Sequence, residues 1–293
     1  MNGHAVLYGL LALMVFLWSA NFVVAKWVLR EFPPLLLSGL RVAIAGAAIT
    51  PVYWWQARRG AGESWGRRDL PVLLYLGLFG VALNQLFFVL GVNLTSVAHS
   101  AFIIAMTPIL VLLLAALMKV ESITKRKVAG MVLAICGVAI LNAFPPAHGP
   151  QPSFTGDVFI FLAGLTFALF TVIGKRTTKR HNPVTVTSFA YVGGAVALAP
   201  FTVWQGARFA VESVSVAGWF GLVYMAVFPS LVCYLIYYHA LTRIAASRVA
   251  SLAYLQPLVA TALAVVLLGE HVTVPLVVGG AVIFSGVYLT ERG

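Results

Sequence analysis

The chain is 293 residues long, 61% of them apolar and only 9% charged, with a mean hydropathy of +0.97. Soluble domains carry about 25% charged residues, so this balance excludes an ordinary water-soluble enzyme or binding module and makes a lipid bilayer the solvent. The net charge of +11 does not point to nucleic acid. A nucleic-acid binder needs its basic residues on a solvated face, and here they fill short gaps between apolar runs.

A spanning helix needs about 20 mostly apolar residues. Ten stretches qualify, at roughly 5–29, 34–56, 70–92, 97–118, 128–144, 156–175, 184–205, 217–240, 248–268 and 274–290. Helix one follows no basic leader or cleavage-site pattern and is expected to stay in place. It carries Trp18, Ser19 and Asn21, with Lys26 near its outer end, where an ammonium can snorkel. Helix two opens on Pro34, where a missing N–H costs least. Arg41, about 10 Å further along, needs a carbonyl or an anion, and reads as a structural clamp ahead of a contact to a substrate carboxylate.

Helix three offers Asn84, Gln85 and Phe88. Helix four places His99, Phe102, Ile103 and Met106 on one face and is interrupted at Thr107-Pro108. Helix six contributes Phe167, Ala168 and Phe170; helix eight Cys233, Tyr234 and Tyr237; helix nine Arg248 and Ser251. Helices five and ten are poor in polar groups and rich in glycine (Gly130, Gly137, Gly279, Gly280, Gly286), which suggests close helix packing and a possible site of self-association. Cys136 and Cys233 lie inside apolar runs and indicate neither a disulfide framework nor a metal, so no cofactor is expected.

The chain is one unit written twice. Pro108 and Pro257 stand 149 positions apart, and so do Lys26 and Lys175, Pro34 and Pro183, Glu121 and Glu270, and Gly130 and Gly279. The halves are 1–144 and 150–293, each with five spans. Basic residues crowd the connections after helices two, four, six and eight, while the Pro145–Pro152 connection has no charge, which puts both termini in the cytoplasm. Five is odd, so the second half must enter the membrane inverted, an arrangement typical of secondary transporters with a midplane site between the repeats.

Polar groups within spans usually face the bundle interior or a wet cavity. Asn84 and Gln85 suit interhelical hydrogen bonding and cavity lining equally. His99 fits a structural role or a ligand, and Met106 reads as filler before contact. Tyr234 lies deep enough for a cavity, and the two prolines read as structural bends. Glu121 and Glu270 are expected to cap the helix that follows each of them.

The runs FLWSANFVVAKW (16–27), FPPLLLSGLRVAIA (32–45) and TPILVLLLAALMKVESITKRKVAGMVLAICGVAIL (107–141) resemble the drug/metabolite transporter superfamily, specifically its EamA-type ten-helix carriers. In the second half, QPLVATALAVVLLGEHVTVPLVVGGAVIFSGVYL (256–289) repeats the pattern. The chain looks most like the YddG-type bacterial exporters of aromatic amino acids. The resemblance implies a multi-pass protein of the bacterial inner membrane and a cavity lined by helices one, three, four, six, eight and nine. The candidate substrate residues are then Trp18, Asn21, Asn84, Gln85, Phe88, His99, Phe102, Met106, Phe167, Phe170, Tyr234, Tyr237 and Ser251. A sugar-phosphate or nucleotide-sugar carrier of the same superfamily is the rival, and it would need several cations in the cavity. An intramembrane enzyme would need a nucleophile with its base or paired acids at depth; HExxH does not occur, and the one Gly-x-Ser-x-Gly, at 62–66, falls in the connection between helices two and three, outside any span.

The charge asymmetry generates a test. A cysteine placed at Ala147 should react with an impermeant thiol reagent in whole cells, whereas one at Ala61 should not; the opposite pattern would invert the topology.

Overall fold

The computed structural model describes residues 3–58, 66–95, 97–142, 153–268 and 274–293, and among these every regular element is helical. Expectations that fall on Arg59, Ala61, Glu63, the 143–152 connection and Glu270 lie outside the described residues, as does the side chain of His99. The elements are α1 (Gly3–Val28), α2 (Pro34–Arg58), α3 (Leu70–Leu94), α4 (97–117), α5 (Lys125–Asn142), α6 (Phe154–Thr177), α7 (Pro183–Gly206), α8 (Val216–Arg243), α9 (246–268) and α10 (Val274–Glu291). Among the described residues seven helices, α1 to α4 and α6 to α8, are long and apolar enough to cross a membrane.

Local chemistry sets the starts and the breaks. Ser153, Asn182 and Ser215 each accept a backbone N–H from the first turn of α6, α7 and α8. In α4 the helix stops at Ile104 and restarts at Thr107, because Pro108 has no N–H for the carbonyl of Ile104. In α3 and α8 the ladder widens to π-helix at Leu76–Leu83 and Ala226–Val232, which are equivalent stretches of the two halves. Such widening exposes backbone groups and recurs at functional sites.

The tertiary contacts follow the 149-residue repeat. α3 lies on α6 as α8 lies on α1; α4 on α6 as α9 on α1; α3 on α7 as α8 on α2. The remaining major pairs, α5 with α10 and α2 with α7, each join a helix to its own counterpart. This is the contact pattern of two halves related by a two-fold exchange. It extends to single bonds. Lys26 Nζ donates to the carbonyls of Val92 (2.7 Å) and Thr95 (3.0 Å) at the end of α3, and Lys175 Nζ to those of Leu241 and Ile244 at the end of α8, each partner 149 residues on. These ammonium groups do not simply snorkel to water; they satisfy helix-end carbonyls.

The glycines of α5 and α10 face each other inside the chain. A methyl at Gly286 would sit 2.4 Å from the Ala134 nitrogen and 2.6 Å from the Gly130 oxygen, and one at Gly137 would sit 2.8 Å from the Gly279 oxygen. Backbone meets backbone there, so the small-residue face expected to allow self-association is already occupied within the chain.

Glu121 corrects a sequence expectation. It does not cap α5, the next helix; it crosses to the other half, where Oε1 accepts the N–H groups of Ala246 and Ser247 at the start of α9 and Oε2 accepts Ser247 Oγ. Lys127 Nζ completes the group at 3.2 Å, and both side chains are under 9% exposed. The spare N–H groups of a neighbouring helix are equivalent acceptor targets, and sequence order does not choose between them. Burial pushes this carboxyl up, but the hydrogen bonds from Ser247 and Lys127 and the Lys127 charge outweigh it, so it is held below its ordinary value of 4.5.

Two outcomes follow. Gly286→Ala should cost roughly 1–3 kcal/mol through overpacking, read as lost thermal stability of the purified protein, whereas Gly9→Ala, with nothing within 4 Å, should cost nothing measurable. Glu121→Gln should lower stability at pH 7 by roughly 1–3 kcal/mol. Because the folded carboxyl titrates below the unfolded one, the wild-type advantage is complete above the unfolded value and fades as pH falls through the folded one. A wild-type advantage that persists at pH 2–3 would contradict this.

Candidate functional site

Between the halves lies a cavity of roughly 90 Å³, walled mainly by aromatic and amide side chains. α1 supplies Trp18, Asn21 and Phe22; α3 supplies Asn84, Gln85 and Phe88; α6 supplies Ala163 and Phe167; and α8 supplies Tyr234 and Tyr237. Ile104 and Thr107 of α4 and Val249, Ala250, Ala253 and Gln256 of α9 close it, and Arg41 of α2 reaches in from the side.

The lining comes largely in repeat pairs: Trp18 with Phe167, Gln85 with Tyr234, Phe88 with Tyr237, Ile104 with Ala253 and Thr107 with Gln256. Gln85 Nε2 donates to the Tyr234 hydroxyl at 3.3 Å, a hydrogen bond between two equivalent positions, so the pseudo-two-fold axis runs through the cavity. Trp18 and Phe167, also equivalent, meet edge to face with ring centroids 5.7 Å apart. Tyr234 and Tyr237 both lie against these two rings, at 5.1–6.2 Å. Aromatic pairs in this geometry hold one another for about 0.5–1.5 kcal/mol beyond burial and leave π faces for a flat guest.

The polar groups are partly committed. Tyr234 donates to Asn84 Oδ1 (3.1 Å), Asn84 Nδ2 donates to the Ala163 carbonyl (2.8 Å), and Tyr237 shares a 2.7 Å hydrogen bond with Thr171. The π stretch of α8 orients the rest. There Cys233 N–H bonds back to Phe228, which leaves the Pro229 and Ser230 carbonyls to accept Trp18 Nε1 (2.9 Å) and the Tyr191 hydroxyl (2.7 Å). Pro229 brings no N–H, and the Met225 carbonyl takes Ser230 Oγ (2.8 Å) and Arg41 Nε (3.1 Å). Three polar atoms of lining residues are buried without a partner: Asn21 Oδ1, Thr107 Oγ1 and Arg41 Nη1.

Of the thirteen residues singled out in the sequence, eight line this cavity: Trp18, Asn21, Asn84, Gln85, Phe88, Phe167, Tyr234 and Tyr237. Four stand outside its lining. Phe170 is fully buried and covers Gly80 so closely that a methyl there would lie 1.8 Å from the ring. Ser251 turns its hydroxyl back to the Arg248 carbonyl at 2.8 Å. Phe102 packs into the main core, and Met106 is 37% exposed at the break in α4. The break accounts for Met106, because a 3.6-residue period does not carry through Ala105-Met106; Phe102 lies before it, and Ile104 and Thr107 take the cavity side. The residues before Pro108 and Pro257, Thr107 and Gln256, were the missed signal, legible as a polar-Pro pair kept at the repeat spacing.

The profile of the EamA-like transporter family matches residues 6–143 and, a second time, residues 154–292. The chain belongs to the EamA-like transporter family. It is therefore a multi-pass membrane transporter and not an enzyme. An uncharacterised transporter of Archaeoglobus fulgidus is 30% identical over 96% of this chain and 97% of its own. A protein of Salmonella typhimurium named a probable amino-acid metabolite efflux pump is 27% identical over 97% and 95%. A probable terminal-alkyne amino-acid exporter of Streptantibioticus cattleyicolor is 28% identical over 96% and 92%. One solved crystal structure superposes with a TM-score of 0.75 over 98% of this chain and 97% of its own, at 20% identity, a likeness of fold alone. As in its family, two repeats build this transporter, and the cavity lies where they meet.

Proposed function

We propose that this EamA-family transporter exports small amphipathic metabolites, aromatic amino acids foremost, by alternating access. In this reading ten helices span a bacterial inner membrane as two inverted halves, with both termini in the cytoplasm. The observation that carries it is the cavity on the pseudo-axis, walled by Trp18, Phe167, Tyr234 and Tyr237 with amide groups beside them. A flat apolar side chain fits the rings and a polar head group fits the amides. Two relatives named for amino-acid efflux or export support the same class. The sugar-phosphate alternative is weaker, because Lys26 and Lys175 are occupied with helix-end carbonyls and Arg41 is the cation among the lining residues.

No carboxylate lines the cavity among the described residues, whereas proton-coupled carriers commonly relay protons through Asp, Glu or His within the membrane. Downhill carriage by rocking of the two halves accounts for that lining, and a substrate gradient then sets the direction. In proteoliposomes, labelled phenylalanine should equilibrate without an imposed pH gradient, and His99→Ala should retain flux. Tyr237→Ala, which removes a wall of the cavity, should cut flux about tenfold or more with folded protein retained. Accumulation driven by a proton gradient alone and abolished by His99→Ala would overturn the downhill mechanism. Failure of wild-type protein to move any aromatic amino acid would overturn the substrate class.

A further inference from the structure

Arg41 is a feature of the cavity that the repeat does not explain. Its counterpart at the 149-residue spacing is Ala190. The side chain is 2% exposed, and Nε is fixed by Ser230 Oγ (2.7 Å) and the Met225 carbonyl (3.1 Å), while the guanidinium carbon lies 6.0 Å from the centre of the Phe88 ring. All of these partners are neutral. A buried guanidinium among neutral groups is costly unless an anion meets it, and the acids of this chain lie at helix ends and in connections. Nε is tied down, Nη1 is buried without a partner, and Arg41 is among the residues that line the cavity. Asn21 presents the opposite character from the same lining, a buried Oδ1 acceptor without a donor.

We infer that Arg41 Nη1 anchors the carboxylate of the substrate and Asn21 Oδ1 accepts from its ammonium, so that the cavity selects a zwitterion with a flat apolar side chain over the corresponding amine or amide. This rests on the cavity being the substrate site. A single guanidinium suits a monoanion; a phosphate dianion would call for the second cation that the described lining lacks. Thr107 Oγ1 gives the head group a further hydroxyl partner. The rings then hold the side chain while charge-assisted hydrogen bonds set its orientation.

The test uses full-length protein in proteoliposomes and competition against labelled phenylalanine efflux, together with direct binding. The competitors are phenylalanine, phenylalaninamide, 2-phenylethylamine and 3-phenylpropionate. Wild-type protein should prefer phenylalanine over the amide and the amine by about 10- to 100-fold, the size of one charge-assisted contact. Arg41→Gln should erase that preference by weakening phenylalanine and 3-phenylpropionate while leaving the amide unchanged, and Arg41→Lys should restore part of it. Asn21→Ala should weaken phenylalanine but not 3-phenylpropionate. Should Arg41→Gln fail to fold, the competitor series on wild-type protein still decides. Equal competition by acid, amide and amine would overturn the anchor while the export of aromatic amino acids stands. Arg41-dependent binding of 3-phenylpropionate without any phenylalanine flux would uphold the anchor and remove the amino-acid reading. Binding of none would overturn both.

Discussion

The constraint on which this structure turns is that a peptide group inside hydrocarbon has no water to turn to. Every carbonyl released by a proline, a widened turn or a helix end needs a donor from elsewhere in the chain. The few long polar side chains are spent there: Lys26 and Lys175 at the ends of α3 and α8, Arg176 on the Met118 carbonyl past the end of α4, Trp18 and Arg41 on the π stretch of α8. With Lys26 and Lys175 so committed, Arg41 is the cation among the described lining residues. The same constraint explains how Trp18, an element of the cavity wall, is held in one orientation by the backbone irregularity opposite it.

Much of this was legible in the sequence. Composition set the solvent, the constant spacing of Pro, Lys, Glu and Gly set the repeat, and the positions of Trp18, Gln85, Phe167 and Tyr234 placed the wall of the cavity. What stayed hidden has a common physical origin. Helical periodicity holds only while the helix is unbroken, so the face read through to Met106 fails at the step before Pro108. Phe170 resembles its neighbour Phe167 in every sequence property, yet Gly80 on another helix makes room for it and takes it out of the cavity. The target of Glu121 likewise depends on which helix start is near in space, and sequence order carries no such information.

The asymmetries between the halves carry as much meaning as the symmetry. Duplication alone would give a cavity with two equivalent sides, suited to a guest with two equivalent ends. Arg41 and Asn21 line it while their counterparts, Ala190 and Phe170, do not, so its polar groups are not matched across the halves. A head-and-tail molecule can then bind in one sense and not the other, which is how a specific guest differs from a merely greasy one.

The bond from Gln85 to Tyr234 has a consequence for motion. If the two access states are related by exchanging the halves, every contact between residues i and j in one state reappears between their counterparts in the other. A contact between counterparts maps onto itself, so Gln85–Tyr234 and Trp18–Phe167 keep their separation in both states and act as the pivot. Contacts already present in duplicate, such as those of Lys26 and Lys175, are likewise conserved through the exchange. Only contacts without a twin can set one state above the other in energy. The cluster of Arg41, Tyr191 and Ser230, whose counterparts are Ala190, Val42 and Val81, is such a group, so under that exchange a preference between the two states would be set beside the cavity.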